Sequence, residues 1–160
     1  ALDGWQPMSM LAYAFQPRWN KHFCSNFTTA AIYEMSSSYQ DDHGNPRRCE
    51  RETAHITHGT SSTKFGAQLL FRCLRGSTTT ATSTDAAYRP VLLVYTNDDG
   101  KGWTSSPRKV LLGRLGDGDV FGGELTRLGP YRSRAYKIAC TDPVALTLVS
   151  LSETFTIVDG

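Results

Sequence analysis

From Ala30 onward the chain is a succession of short runs of β-branched, aromatic and aliphatic residues, each closed by a cluster of Gly, Pro, Asn, Asp or Ser. Turn signals recur roughly 8–12 residues apart, the spacing of an all-β sandwich, barrel or propeller fragment. Eight segments read as strands: Ala30–Met35, Arg47–His55, Lys64–Arg75, Pro90–Thr96, Lys109–Gly113, Arg134–Thr141, Ala145–Leu151 and Thr154–Val158. In the third, alternation places Phe65, Ala67, Leu69, Phe71 and Cys73 on one face. Pro90 stands at a first strand position, where its missing N–H costs no ladder bond. The charges of Arg47–His55 suit an edge strand, because they discourage pairing with another chain.

The turns are equally explicit. Tyr39–Pro46 (YQDDHGNP) is dense with turn residues, and Asp142-Pro143 separates two strands. Residues 57–63, 76–87 and 113–123 read as loops, the last holding five glycines. Residues 1–29 form an N-terminal arm or docking segment, and 30–160 a single β-rich domain. Within the arm Met8–Phe15, bracketed by Pro7 and Pro17, is either a short helix or a strand.

Composition bounds the function. At 160 residues the chain is one domain's worth and can bury a core without a metal or disulfide staple. No apolar run reaches the roughly 18 residues of a membrane span, and no membrane partner is expected. The first residues lack the pattern of a secretory leader, and Ala1 is what remains after removal of an initiator Met, so synthesis in a reducing compartment is expected. Seventeen basic and 15 acidic residues give a net charge of +2, too balanced to announce a nucleic-acid binder. Cys24, Cys49, Cys73 and Cys140 form no C-x-x-C pair, so no zinc site is expected and the thiols read as reduced and structural.

No enzyme signature stands out. The chain has neither a G-x-S-x-G elbow nor a P-loop. His55-x-x-His58 lacks a third ligand. Asp41-Asp42 and Asp98-Asp99 are turn carboxylates with no apolar pocket in sight to separate their pKa values. We therefore expect no catalytic residue, no cofactor and no metal.

The densest local signal is Tyr95–Trp103, YTNDDGKGW. Asp98-Asp99-Gly100 is a hairpin turn in which Gly100 takes a positive φ, Asp98 accepts hydrogen bonds from nearby N–H groups, and Trp103 folds back as a lid. The segment resembles the Asp-box hairpin, Ser/Thr-x-Asp-x-Gly-x-Thr-Trp: Thr96, Asp98, Gly100 and Trp103 match in register, and Gly102 stands where Thr is usual. The resemblance implies a structural role for these four residues.

A wider ordered pattern follows the same chain. Ile32-Tyr33-Glu34, Tyr39–Pro46, Cys49-Glu50-Arg51, His55-Ile56, Phe65–Phe71, Tyr95–Trp103, Arg108–Gly116, Arg127–Arg134 and Thr141–Val144 occur in that order. From Ala30 to Gly160 this resembles the C-terminal region of the packaged-DNA stabilisation proteins, the tail hub or nozzle family, of short-tailed bacteriophages. Ala54 stands where that family has Pro, and 118–124 where it has a Tyr-x-x-Arg step. The resemblance implies a non-enzymatic virion protein at the phage tail or head-tail junction. It would assemble with copies of itself in a symmetric ring, meet other tail, adaptor or portal proteins, and lie near packaged DNA. On that reading Arg108, Arg114, Arg127, Arg132 and Arg134 are subunit-interface or channel-facing residues. Two alternatives remain: a carbohydrate-binding β-module stacking sugars on Trp5, Trp19 or Trp103, and a capsid decoration protein.

Overall fold

A computed structural model describes residues 10–26, 30–39, 41–42, 44–75, 89–113 and 123–158. These form twelve strands and no helix: β1 (Met10–Gln16), β2 (Lys21–Asn26), β3 (Ile32–Met35), β4 (Asp41–Asp42), β5 (Asn45–Pro46), β6 (Cys49–Glu52), β7 (Thr63–Arg75), β8 (Val91–Asp98), β9 (Arg108–Leu111), β10 (Gly123–Tyr131), β11 (Arg134–Cys140) and β12 (Leu146–Val158). Every pairing is antiparallel.

Two sheets make the body, one ordered β10-β7-β12 and the other β6-β11-β8-β9. Between them lies one apolar core: Leu69, Phe71 and Cys73 of β7 and Leu125 of β10 meet Leu92 and Val94 of β8, Val110 of β9, and Tyr136, Ile138 and Cys140 of β11. This is an all-β, sandwich-like module. The chain crosses between the sheets from β7 to β8, from β9 to β10, from β10 to β11 and from β11 to β12. The third crossing is the two-residue link Arg132-Ser133, so both sheets are pinned together at that end.

The third sheet, β1-β2-β3, stands apart from this ladder system. Met10–Gln16 resolves the helix-or-strand ambiguity in favour of a strand, paired with β2 from Ala12↔Ser25 to Gln16↔Lys21. The compositional boundary at 29/30 falls inside this sheet, since β2 pairs with β3 through Cys24↔Tyr33 and its neighbours. The Tyr39–Pro46 turn is the β4–β5 hairpin, with Gly44 N–H donating to Asp41 Oδ1 at 3.1 Å. The charged segment read as an edge strand is β6, which pairs only with β11. The 76–87 loop and most of 113–123 lie outside the described residues.

Two expectations are corrected. Ala145–Leu151 and Thr154–Val158 are one strand, β12, and β10 was not legible because Gly129 and Pro130 sit within it. An edge position tolerates that Pro. The predicted single face of β7 is also broken. Leu69, Phe71 and Cys73 are buried, but Phe65 is 48% exposed, while Lys64 and Gly66 point inward. The cause is an inserted residue: β12 pairs Thr154 with Gln68 and then Phe155 with Gly66, skipping Ala67. One extra residue in a strand exchanges its faces from that point on.

The bulge makes a quantitative forecast. Phe71→Ala is expected to cost about 3–5 kcal/mol, as for a fully buried Phe, whereas Phe65→Ala should cost no more than about 1 kcal/mol. Urea unfolding of the two variants checks this; equal losses would mean the strand keeps one face throughout.

Candidate functional site

Two places depart from an ordinary sandwich: a buried polar cluster at one end of the core, and the β1–β3 sheet. The cluster begins at the Asp-box-like hairpin. Asp99 and Gly100 have φ of 55° and 72°, and Lys101 N–H donates to the Asp98 carbonyl at 3.1 Å. Two central residues at positive φ define the tight turn that matches strand twist, and Asp-Gly is among its preferred pairs. Thr96 exchanges bonds with Thr104, accepting from Thr104 N–H at 2.9 Å and donating its own N–H to Thr104 Oγ1 at 3.2 Å.

The carboxylates have other partners than those expected. Within the hairpin Asn97 Oδ1, not Asp98, accepts a side-chain bond, from Gly102 N–H at 3.1 Å. Asp98 instead receives Arg134 in a two-pronged pair, Nε to Oδ1 at 2.5 Å and Nη2 to Oδ2 at 3.0 Å. Asp99 accepts the N–H groups of Ser133 at 2.9 Å and Arg132 at 2.8 Å, tying this turn to the β10–β11 turn. Those backbone bonds, Ser133 first and Arg132 second, hold its carboxyl below the ordinary range. Trp103 is half-buried beneath Lys137, whose Nζ lies 4.8 Å from its ring centre and 2.6 Å from Glu52.

Arg134 is therefore not a channel-facing residue. Its side chain is 1% exposed. Besides Asp98 it donates to the Leu128 carbonyl at 2.8 Å, and its guanidinium lies 4.0 Å from the centre of the Tyr131 ring. Nη1 is 3.6 Å from Glu153 Oε1, and Glu153 is itself buried. Its other oxygen is 3.5 Å from Nε2 of His58, which packs on Phe155 with ring centres 4.1 Å apart. Lys64, fully buried, donates to the carbonyls of Thr60, Ser62 and Arg132. Burial, and after it the Glu153 carboxylate, push the hydroxyls of Tyr131 and Tyr136 far above the usual phenol range, so both stay protonated. Two cations and two carboxylates balance here, as burial of charge requires.

The other predicted basic residues divide differently. Arg108 is exposed but reaches across to β10, donating Nη2 to the Thr126 carbonyl at 2.7 Å. Arg127 and Arg132 are exposed, Arg127 on the bulge of β10 with a φ of 57°. Arg114 and Trp5 lie outside the described residues. His55 and His58 go to separate partners, Ser133 and the Glu153 cluster. Among the described residues no three His, Cys, Asp or Glu side chains come together to hold a metal.

Sequence reading missed Lys64, His58 and Glu153 as one cluster. A signal existed for Glu153: it is the single charge in β12 and shares parity with Leu151 and Phe155. Arg134 likewise shares parity with the buried Tyr136, Ile138 and Cys140.

The β1–β3 sheet is the second feature. Leu11, Tyr13, Phe15, Trp19 and Ile32 are 71%, 52%, 45%, 60% and 76% exposed. On one face Tyr13 and Phe15 flank His22, with the Tyr13 hydroxyl 2.5 Å from Nδ1. On the other, the small side chains of Ala12 and Ala14 floor an open groove of about 530 Å³ walled by Trp19, Phe23 and Ile32. Trp19 meets Phe23 edge-on, ring centres 6.3 Å apart. Both faces thus carry uncovered apolar side chains.

No protein-family model matches the chain, and no curated protein is significantly similar to it. The chemistry of the buried cluster is that of a structural clamp, which can be tested. Arg134→Met should lower stability by about 3–5 kcal/mol by stranding buried carboxylates. Adding Glu153→Gln should recover part of that loss, a coupling of about 0.5–3 kcal/mol in a denaturant double-mutant cycle. Asp99 supplies a pH test: a carboxyl held low in the folded state stabilises above its unfolded value and loses that contribution as pH falls through its folded value. Asp99→Asn should therefore weaken the fold at neutral pH and flatten its acid dependence below about pH 4; an unchanged acid limb would refute the assignment.

Proposed function

We propose that this chain is a non-enzymatic structural protein of a virus particle, built to assemble with copies of itself. The ordered resemblance to the tail hub proteins of short-tailed phages supports a place at the head-to-tail channel, where repeated interfaces hold packaged DNA. One observation carries the reading: a sheet with apolar side chains on both faces is joined to a body that already has its own complete core. Exposed apolar patches of that size mark interaction surfaces. The body's buried charges are spent on a clamp, which leaves no polar constellation for bond chemistry among the described residues. Arg127 and Arg132 are the remaining exposed candidates for contact between subunits or proximity to DNA.

Trp19 gives the sugar-binding alternative its one foothold, because it is exposed beside a groove. The groove is lined by Ala12, Ala14, Phe23 and Ile32, a setting that suits protein side chains better than sugar hydroxyls. Trp103 is covered by Lys137 and Trp5 is not described, so neither adds a platform.

Light scattering over a concentration series tests the proposal. A defined assembly of several copies is expected, and Trp19→Ala should shift it toward smaller species. A strict monomer whose Trp19 is needed for binding to a glycan panel would overturn it in favour of the sugar-binding reading.

A further inference from the structure

The assembly reading leaves open which surfaces meet, and the sheet edges answer that. A free strand edge exposes unpaired N–H and C=O groups, and chains normally guard such edges with charge, Pro or bulges. Most edges of the described sheets are guarded. β6 reads Cys-Glu-Arg-Glu, β9 carries Arg108 and Lys109, and β3 carries Glu34. β10 carries Glu124, Arg127 and Pro130 and is broken by a register shift.

Two edges lack this protection. β1, Met-Leu-Ala-Tyr-Ala-Phe-Gln, has no charge and no Pro. β12 has one charge, Glu153, whose side chain is turned into the buried cluster. Among the described residues no strand pairs with the outer edge of either. The insertion of β12 near Val149 lies toward its beginning; from Ser150 to Val158 every residue of β12 has a partner on β7. That run is long enough for all seven residues of β1. The outward residues Ser152, Thr154 and Thr156 are small or β-branched and uncharged.

We propose that β1 of one copy adds as an antiparallel strand to the outer edge of β12, over Ser150–Val158, of the next copy. The joint would merge β10-β7-β12 with the neighbour's β1-β2-β3 into one continuous sheet. It uses a different patch on each partner, so it propagates head to tail and closes into a ring or extends as a filament. The occupant is a second copy because the surface to be covered matches one. The uncovered parts of Leu11, Tyr13, Phe15, Trp19 and Ile32 amount to on the order of 500 Å², most of the roughly 800 Å² per partner of a stable interface.

The inference rests on the assembly reading, and its test separates the two. Two guarded variants are compared with the wild type by sedimentation velocity: Thr154→Lys with Thr156→Lys on the β12 edge, and Ala12→Lys with Ala14→Lys on β1. Each is expected to keep its far-UV circular dichroism and to sediment as a monomer. An equimolar mixture should form a dimer and stop, because it retains one intact β1 and one intact β12. Hydrogen exchange on the wild type, concentrated against dilute, should show slowed amides in 10–16 and 150–158, a readout that does not depend on any variant folding. A wild type that is monomeric throughout would overturn the assembly reading and this joint with it. A wild-type assembly that survives the β12 substitutions, or protects the amides of β6, β9 or β10 instead, would overturn the joint alone.

Discussion

A guanidinium that cannot give up its proton sits in the interior of this sandwich, and the surrounding structure is arranged around that charge. Arg134 needs a carboxylate, a carbonyl and room. Asp98 at the end of β8 supplies the first and the Leu128 carbonyl of β10 the second. The room comes from Gly66 of β7, where a Cβ would stand 2.9 Å from Nη1, 2.8 Å from Leu128 Cβ and 3.0 Å from Glu153 Oε1. Five strands from both sheets thus converge on one side chain. Hydrophobic contact holds the rest of the core but has no direction; this clamp fixes how the sheets meet.

The two bulges serve the same end. Ala67 turns Lys64 and Gly66 inward, which places a small residue against the guanidinium and an ammonium against three loop carbonyls. Opposite it, β10 shifts register between Thr126 and Gly129, so that the carbonyls of Thr126 and Leu128 accept bonds from Arg108 and Arg134 rather than from a neighbouring strand. A regular ladder would have kept Phe65 inside and left no path for the arginine.

Strand existence was legible because period-two alternation and turn residues act locally. The Tyr95–Trp103 hairpin was legible for the same reason: Asp99 and Gly100 carry the turn with little help from elsewhere. What escaped was set by partners distant in sequence. Arg134 read as a surface charge, although its parity with Tyr136 and Ile138 placed it inside; the rule that arginines are exposed prevailed over periodicity. Asp98 read as a turn acceptor, although its partner lies on β11. A one-residue bulge leaves little trace in composition, so Phe65 and Ala67 were assigned to the wrong side. In the N-terminal segment, aromatic and small residues marked a docking element, but not that β2 would pair with β3 across the apparent boundary.

The division of labour between body and ribbon follows from where apolar area goes. The body encloses its own core and guards most of its edges. The β1–β3 ribbon has three strands and places aromatic or aliphatic side chains on both faces, with Phe23, Trp19 and Ile32 on one and Tyr13 and Phe15 on the other. Three strands gain stability chiefly by burying a face against something else. Among the described residues the ribbon's strands join no ladder of the body, and the body's one unguarded edge, β12, carries small and β-branched hydroxyl residues beside which a foreign strand can lie. A surface of this kind is costly in an isolated chain and stabilising in an array. The same residues that leave the ribbon unfinished in one copy are those that a neighbouring copy can complete.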